Sequence, residues 1–381
     1  MFYITVRQSP MYKQMTLEDL LYGTDDGSAT TLLNSNISNT HTYERDHIRE
    51  SMVRAVNIPR LISILRRFNE STAALREVPR RTLYHSFSIP KASGGLRRID
   101  APLPELMEAL RQLKRIFEDD FGALYHTSAF AYVKKRSTID AVKRHQTNES
   151  KWFGKYDLSN FFGSTTLEFV MQMFSMVFPF SEVIKDPAGR EELEKAIELA
   201  FLNKGLPQGT PISPLITNVM MIPIDHNLSK ALRNFENQSF VYTRYADDFL
   251  ISSKYDFDPG KIENLIISIL SEYQAPFRIK KEKTRYGSSS GKNWNLGIML
   301  NKDNQITVGH KNKRHFKLML STYVKDKENG IRWDLHDIQT MEGYRNYYRM
   351  VEGETIDRIV YHISQKYNVD VVRMIKEDLK S

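Results

Sequence analysis

The chain has 381 residues and a formal net charge of +8, from 54 Lys and Arg against 46 Asp and Glu. It contains no cysteine, which excludes disulfides, zinc–thiolate sites and thiol catalysis. No apolar run is long enough to cross a bilayer and the N-terminus lacks a signal-peptide pattern, so we expect a cytoplasmic protein that does not bind membranes.

The first 80 residues predict a mostly helical extension, interrupted by a polar stretch at 23–41. Apolar residues recur at helical spacing between Asp46 and Phe68. Two strand-like runs, Tyr84–Ile89 and Leu96–Ile99, then flank a Gly-containing turn and predict a hairpin. This N-terminal extension carries no residues with evident chemistry.

The middle of the chain alternates helices and strands without a regular βαβ rhythm. Helices are predicted at Pro104–Phe121, from Ser137-Thr-Ile-Asp140 onward, and at Thr166–Val177, Glu191–Asn203, Pro214–Leu228 and Gly260–Gln274. Strands are predicted at Trp152–Leu158, on both sides of Asp247-Asp248, and as a pair near 276–284 and 294–300. Further helices are predicted at Lys311–Lys325, Leu335–Val351 and Glu354–Tyr367. The pattern predicts an α+β fold, with helices packed on one face of a sheet.

The pair Asp247-Asp248 interrupts an apolar, strand-like run from Ser239 to Ser253. Asp-Asp is common in turns, because aspartate tolerates turn geometry. Aspartate is nevertheless rare in strands and is seldom buried without a partner. Asp157 ends another apolar strand, and if the two strands are neighbours, three carboxylates converge. Such a set could hold two Mg²⁺ ions, with Mn²⁺ as the alternative, and could clamp a phosphoryl transfer.

The loop from Asn203 to Pro214 contains three prolines, which stiffen it. Its glycines, Gly205 and Gly209, allow backbone to approach a ligand closely. Gln208 offers an amide to a nucleotide. A loop of this composition before a helix is more often only a helix start.

Basic residues occur in five clusters with Tyr, Phe and His between them. The clusters are Arg97-Arg98, Arg111/Lys114/Arg115, Lys134-Lys135-Arg136, Lys280-Lys281/Lys283/Arg285 and Lys311/Lys313/Arg314. Any one of them is typical of a solvated surface. Together they suit a groove that follows a phosphate backbone and stacks bases.

Three of these segments, in this order and spacing, resemble the motifs of bacterial reverse transcriptases of retrons, group II introns and phage-defence systems. They are Asp157…Phe162, Gly205-Leu-Pro-Gln-Gly209 and Tyr245-Ala-Asp-Asp248. Phe87–Pro102 and Phe130…Ser137 resemble the fingers motifs, and Lys283-Thr284 and Leu296-Gly297 resemble later palm motifs. The resemblance implies an RNA-directed DNA polymerase with a right-hand fold: an N-terminal extension (1–80), fingers and palm with an antiparallel sheet (81–300), and a helical thumb (301–381).

The resemblance also implies roles for individual residues. Asp157, Asp247 and Asp248 would be catalytic metal ligands, with the Leu158 carbonyl as a further ligand. The residues that would bind the incoming nucleotide are Lys91, Arg97, Phe162, Gln208, Gly209 and Lys283. Phe162 would exclude a 2′-OH and favour dNTPs, although core packing beside Phe161 is an alternative role. The residues that would contact primer or template are Arg136, Ser137, Leu296 and Gly297.

The sequence leaves more than one subtype open. Retron signatures match only approximately, at Asp140–His145 and Ile306–Gly309, and no Cys/His endonuclease module is evident. A stand-alone enzyme that uses a dedicated non-coding RNA in antiphage defence is the favoured interpretation, and a retron enzyme that makes msDNA is the alternative. Template-independent or protein-primed synthesis stays open, and so does a non-catalytic RNA-binding splicing cofactor. Expected partners are an RNA template, dNTPs and a DNA product, with a homo-oligomer or accessory protein left open.

Overall fold

The computed structural model describes residues 56–90, 95–236, 239–289 and 297–380. Most of the predicted N-terminal extension lies outside these ranges, as do Lys91 and Leu296. The described end of the extension contains helices α1 (Ile58–Ser71) and α2 (Ala74–Glu77). Helix α1 buries Leu65 and Phe68 in the main hydrophobic core. The described end of the extension is therefore packed into the main hydrophobic core, from its first described helix onward.

The predicted hairpin is formed by β1 (Tyr84–Pro90) and β2 (Leu96–Pro102), which pair antiparallel. Helix α3 (Pro104–Arg115) follows and continues through a π-helical turn to Asp120, as the periodicity predicts. Its first residue is a proline, which needs no intrahelical donor at that position.

The central sheet has four antiparallel strands in the order β4-β5-β3-β6. The strands are β3 (Trp152–Asp157), β4 (Phe240–Tyr245), β5 (Asp248–Ser253) and β6 (Arg285–Ser288). The strand that ends at Asp157 and the strand that starts at Asp248 are neighbours, as the three-carboxylate hypothesis requires.

The two faces of the sheet are covered unequally. Tyr156, Phe249 and Ile251 point into the main core, which the helices build. The opposite face, which carries Asp157 and Asp248, is covered in part, by helix α4 (Thr138–Thr147) and by Ile298 and Leu300. The buried His145 of α4 bonds to Ser252 Oγ at 2.6 Å and to Thr243 Oγ1 at 2.8 Å. Helices therefore lie on both faces rather than on one, and α4 covers the end distant from the carboxylates.

Seven α-helices within the described ranges lie between β3 and β6 in the chain. They are α5 (Phe161–Ser164), α6 (Leu167–Phe174), α7 (Phe180–Lys185), α8 (Pro187–Glu198), α9 (Ser213–Met220), α10 (Ile222–Arg233) and α11 (Pro259–Glu272). The helix predicted at Glu191–Asn203 starts earlier, because Asp186 caps it by accepting the Gly189 N–H at 2.9 Å. The helix predicted at Pro214–Leu228 is divided near Met221, since Pro223 has no N–H for a continuous helix.

The strand pair predicted near 276–284 and 294–300 does not form among the described residues, and residues 294–296 lie outside them. Ile279 makes an isolated bridge to Leu158, and a 3₁₀ turn at Lys281–Lys283 precedes β6. Lys280 donates its N–H to the Asp157 carbonyl at 2.8 Å, so this segment is fixed beside the end of β3 before it turns. Residues 299–300 (β7) pair instead with Ile306–Thr307 (β8).

The C-terminal helices form a separate hydrophobic core, which includes Phe316, Leu320, Met341 and Ile356. They are α12 (His310–Glu328), α13 (Leu335–Tyr367) and α14 (Val371–Asp378). The predicted break between Val351 and Glu354 is a kink at Glu352 inside α13. In the part of the chain that the structure describes, no helix is long and apolar enough to cross a membrane.

Candidate active site

The strand register brings the three predicted carboxylates to one end of the sheet. Asp157 is directly opposite Asp248, the first residue of β5, and Asp247 lies in the two-residue turn before it. The Asp247 carbonyl accepts the Leu158 N–H at 3.0 Å, which ties the turn to the end of β3. The first turn residue, Ala246, has a left-handed φ of 58°.

Two lysines neutralise part of this negative charge. Lys155 Nζ lies 2.7 Å from Asp248 Oδ2, and Lys283 Nζ lies 2.8 Å from Asp157 Oδ2. Lys283 was assigned to the site from the sequence, whereas Lys155 was not. The signal for Lys155 was its position two residues before Asp157, because alternate residues of a strand share a face.

Burial and mutual repulsion act on the remaining negative charge. The pKa of Asp247 is raised to about 6 by burial and by the charges of Asp248 and Asp157, against Lys283. The pKa of Asp248 is raised by burial and by Asp157, although Lys155 opposes the shift. Asp248 Oδ1 is buried and has no hydrogen-bond partner among the described residues. The cluster therefore has a deficit of positive charge.

This deficit fits a divalent cation. Among residues 56–90, 95–236, 239–289 and 297–380, no three His, Cys, Asp or Glu side chains are arranged as a preformed metal cage. Mg²⁺ does not need one, because it binds through one or two carboxylates together with water and substrate phosphates. The unpartnered Asp248 Oδ1 and the carboxylate of Asp247 are suited to an ion that arrives with a triphosphate.

The loop that follows α8 is held against β2 and against Phe162. Leu206 donates its N–H to the Phe162 carbonyl at 2.9 Å, and the Gln208 carbonyl accepts the Asp100 N–H at 2.9 Å. Gly209 has a φ of 114°, and a Cβ there would lie 2.9 Å from Ile99 Cγ2. The glycines thus allow close approach to the Gly163 backbone and to strand β2, while the Gln208 side chain remains exposed.

We expect Gly205→Ala to destabilise this arrangement. An added Cβ would lie 2.3 Å from the Gly163 carbonyl oxygen, which is backbone and cannot move independently. The overlap should lower the free energy of unfolding by about 1–3 kcal/mol, measured by urea denaturation. The control is Gly343→Ala in α13, where an added Cβ meets nothing within 4 Å and helix propensity should increase stability. Equal effects of the two variants would contradict this account of the loop.

The other predicted contacts lie in different settings. Arg97 is exposed and makes no ion pair within the described ranges, so it is available to a phosphate. Phe162 is half-buried, and its ring packs edge-on against Phe161 at 5.5 Å. Gly297 has a φ of 85° beside the undescribed Leu296. Their roles in binding substrate stay predictions.

Arg136 and Ser137 are engaged by the protein itself. Arg136 Nη1 donates to the carbonyls of His126 and Ala129, both at 2.7 Å. Ser137 caps α4 in a reciprocal capping box with Asp140. Both residues therefore stabilise the loop at 126–129 and the start of α4, and their contacts with primer or template stay predictions.

Most of the basic clusters are partly paired with acids. Arg98 pairs with Asp100 at 3.2 Å and Lys134 pairs with Glu118 at 3.0 Å. Lys313 pairs with Glu352 at 2.9 Å. The charge available to a nucleic acid is therefore smaller than the sequence indicates.

Comparison with known families decides the assignment. Residues 89–316 match the model of the reverse transcriptase (RNA-dependent DNA polymerase) family, and this range is more than half of the chain. The chain belongs to the reverse transcriptase family. It is an RNA-directed DNA polymerase with the α+β, right-hand polymerase fold that the resemblance implies, and the bounds of its domains stay a prediction. Members of this family use divalent metal ions and RNA templates.

Curated relatives of this reverse transcriptase include retron enzymes. It is 24% identical to the retron Ec83 reverse transcriptase of Escherichia coli, over 78% of this chain and 90% of that protein. It is 28% identical to the retron Ec73 reverse transcriptase of E. coli, over 70% of this chain and 82% of that protein. Among solved structures, telomerase from Candida albicans with a TWJ fragment of telomeric RNA matches with a TM-score of 0.44 and 11% identity, over 77% of this chain and 66% of that chain. The structural likeness is too weak to add to the assignment.

One residue near the carboxylate cluster was missed in the sequence. Tyr132 has a φ of 60°, which is a strained conformation for a bulky side chain, and it is 59% exposed. The pKa of its hydroxyl is raised by partial desolvation and by Tyr245 and Asp247, against an opposing effect of Arg97, so the ring lies near the Asp247 turn. Asn218 fixes the preceding carbonyl, Ala131 O, at 2.8 Å. Strain of this kind is typical of functional positions, and an exposed tyrosine can stack on a base.

We expect Tyr132→Gly to separate stability from binding. Glycine adopts a positive φ freely, so the free energy of unfolding should rise by about 1 kcal/mol. Loss of the ring should weaken primer–template binding by about 1–3 kcal/mol, measured by fluorescence anisotropy. Tyr255→Ala, at a 64% exposed tyrosine beyond the far end of β5, is the control. Unchanged binding in Tyr132→Gly would exclude the stacking role.

Proposed function

We propose that Asp157, Asp247 and Asp248 form the polymerase centre of this reverse transcriptase and hold two Mg²⁺ ions. The observation that carries the proposal is the cross-strand register, which places Asp157 opposite Asp248 with Asp247 in the adjoining turn. The unpartnered Asp248 Oδ1 and the raised pKa of Asp247 support the binding of a cation at this cluster. The ions would neutralise the charge that develops on the attacking oxygen and the pyrophosphate.

The surrounding residues bind and orient the nucleotide in this proposal. Arg97 and Lys91 of the fingers hold the triphosphate. When substrate binds, the Lys283 side chain leaves Asp157 and pairs with a phosphate oxygen instead. Lys155 favours the ionised form of Asp248 and opposes the rise in its pKa, because the ammonium lies 2.7 Å from Oδ2. Phe162, fixed through its carbonyl by Leu206, lies under the sugar and excludes a 2′-OH.

Binding of divalent ions should depend on pH near 6. Below that pH, Asp247 is protonated in the folded protein, since its pKa is raised to about 6. A proton must leave before the metal binds, so the apparent affinity for Mn²⁺ should fall about tenfold per pH unit below 6 and level off above it. In the metal-free protein the same shift lowers the free energy of unfolding as pH rises from about 4 to about 6. In this range the folded state still holds a proton on Asp247 that the unfolded state has already lost.

This dependence can be measured by thermal denaturation with increasing Mn²⁺ on both sides of pH 6. The Asp247→Asn variant is the control, because it cannot titrate at this position. A native affinity that does not change with pH through this range would contradict the assignment of Asp247 as a ligand.

We also propose that the template is a dedicated non-coding RNA. The support is the similarity to retron reverse transcriptases over 82–90% of their length, which favours a retron-type enzyme over other stand-alone types. A role in antiphage defence and the synthesis of msDNA are the two biological outcomes that fit such an RNA. Sequencing the nucleic acid that copurifies with the protein, before and after addition of dNTPs, tests the proposal. A single enriched RNA that is extended or copied into DNA is expected, and a random sample of cellular RNA would contradict it.

A further inference from the structure

A fully buried ion pair lies behind the catalytic hairpin. It joins Arg244, the last residue before Tyr245-Ala-Asp-Asp248, to Asp225 of α10, and both side chains are 0% exposed. Arg244 Nε donates to Asp225 Oδ1 and Nη2 donates to Oδ2, both at 2.8 Å. The Tyr242 hydroxyl donates to Oδ1 at 2.8 Å. Both oxygens of the Asp225 carboxylate therefore accept hydrogen bonds, from the bidentate Arg244 guanidinium and from the Tyr242 hydroxyl.

The third nitrogen of the guanidinium reaches the turn itself. Arg244 Nη1 donates to the Ala246 carbonyl at 3.1 Å. Ala246 has the left-handed φ of 58°, a conformation that costs a residue other than glycine roughly 1–3 kcal/mol and persists only when the surroundings impose it. On the other side of the turn, the Leu158 N–H binds the Asp247 carbonyl. The conformation of the turn is thus fixed from both sides.

The backbone of Arg244 is fixed as well. Its N–H donates to the Ser128 carbonyl at 2.6 Å, and its carbonyl accepts the Phe130 N–H at 2.9 Å. Arg244 consequently connects three parts of the molecule: the loop that leads to Tyr132, helix α10 and the catalytic hairpin.

Stability alone does not explain why charged residues occupy these positions. Burying two charges costs several kcal/mol for each ion, and a well-packed apolar pair is often equally stable or more so. An apolar pair, however, has no donor for the Ala246 carbonyl. Lysine has the charge but not the planar fork that could bind Asp225 and the turn at once.

We propose that Arg244 and Asp225 are positioning residues for catalysis, which hold the Ala246 turn in its left-handed conformation and so aim Asp247 and Asp248. Neither residue contacts the substrate. The inference rests on the proposed catalytic role of the two aspartates and adds the buried device that orients them.

The first test is the double variant Arg244→Met/Asp225→Leu, which removes both charges and the bond to the turn. We expect it to fold with a thermal midpoint near that of the native protein. The kcat for dNTP addition should fall about 100-fold, since a displacement of about 1 Å at a reacting group has that effect. The KM for dNTP and the affinity for primer–template should stay unchanged, while the Mg²⁺ concentration that gives half-maximal rate should rise. The control is Arg66→Met/Glu192→Leu, which removes a 3.4 Å ion pair between α1 and α8.

The second test is a rescue at the turn. Arg244→Lys should lose much of the kcat, and Ala246→Gly added to it should restore part of the rate, because glycine adopts the left-handed conformation without strain. A role of Arg244 in stability alone predicts no such rescue.

The outcomes are distinguishable. A folded double variant with native kcat and native Mg²⁺ requirement overturns the inference, and so does a lack of rescue in folded Arg244→Lys/Ala246→Gly. A double variant that fails to fold also overturns it, because the pair would then be needed for stability. If Asp247→Ala/Asp248→Ala remains active, the proposed catalytic centre is wrong, whatever Arg244 does.

Discussion

Replacing Asp247 and Asp248 together by alanine should abolish DNA synthesis by this reverse transcriptase. The substitution removes two of the three carboxylates that the strand register brings together, and with them the proposed ligands of the divalent ions. Loss of several kcal/mol of transition-state stabilisation corresponds to a decrease in rate of roughly a thousandfold or more. Primer extension with radiolabelled dNTPs on an RNA template measures the effect.

The structure provides controls for this experiment. Glu194→Ala removes an exposed carboxylate from α8, a helix that packs against α1 and α7. It should keep the native rate. The aspartate double variant should still fold, because it removes repulsion and burial costs that raise the pKa of both side chains. Undiminished incorporation of dNTPs by a folded Asp247→Ala/Asp248→Ala protein would show that the metal assignment is wrong.

Phe162→Ala should raise the incorporation of ribonucleotides. The Phe162 ring is half-buried and its backbone is tied to the Gly205–Gly209 loop, so it has a defined position next to the proposed nucleotide site. If the ring excludes a 2′-OH, its removal should reduce discrimination against rNTPs by a factor on the order of a hundred, the usual scale for an apolar pocket that rejects an added hydroxyl. The ratio of kcat/KM for a dNTP to that for the matching rNTP is the measurement.

The neighbouring phenylalanine separates sugar selection from core packing. Phe161 is buried and packs on Phe277 with ring centroids 5.0 Å apart. Phe161→Leu should lower stability and leave the choice of sugar unchanged. If Phe162→Ala alters stability in the same way and leaves the dNTP preference intact, Phe162 is a core residue and not a gate.

The elements that the sequence predicted best are those with local signals. The fingers hairpin, the capping box of α4 and the break in α13 each depend on residues within a few positions of one another. The strand pair near 276–284 failed for the opposite reason. That segment is held by backbone hydrogen bonds from Lys280 and Ser159 across the end of β3. Bonds of this kind leave no pattern of alternating apolar residues in the local sequence.

The same distinction applies to the site. Asp157, Asp247 and Asp248 were recognisable because carboxylates are unusual in apolar strands. Lys155 had only the weaker signal of its spacing from Asp157, because its partner Asp248 lies 93 residues away in the chain. Asp225 had no such signal, because its partner Arg244 lies 19 residues away. Tyr132 was missed because its strain is a property of the backbone and cannot be read from residue type.

The position of the bound ions tests the central claim most directly. A structure of the enzyme with Mn²⁺, a chain-terminated primer on its template and the next dNTP would show the ions by their anomalous scattering. We expect the ions beside Asp157, Asp247 and Asp248, next to the triphosphate. The proposed polymerase centre would be contradicted if manganese bound elsewhere and the three carboxylates were still paired only with Lys155 and Lys283.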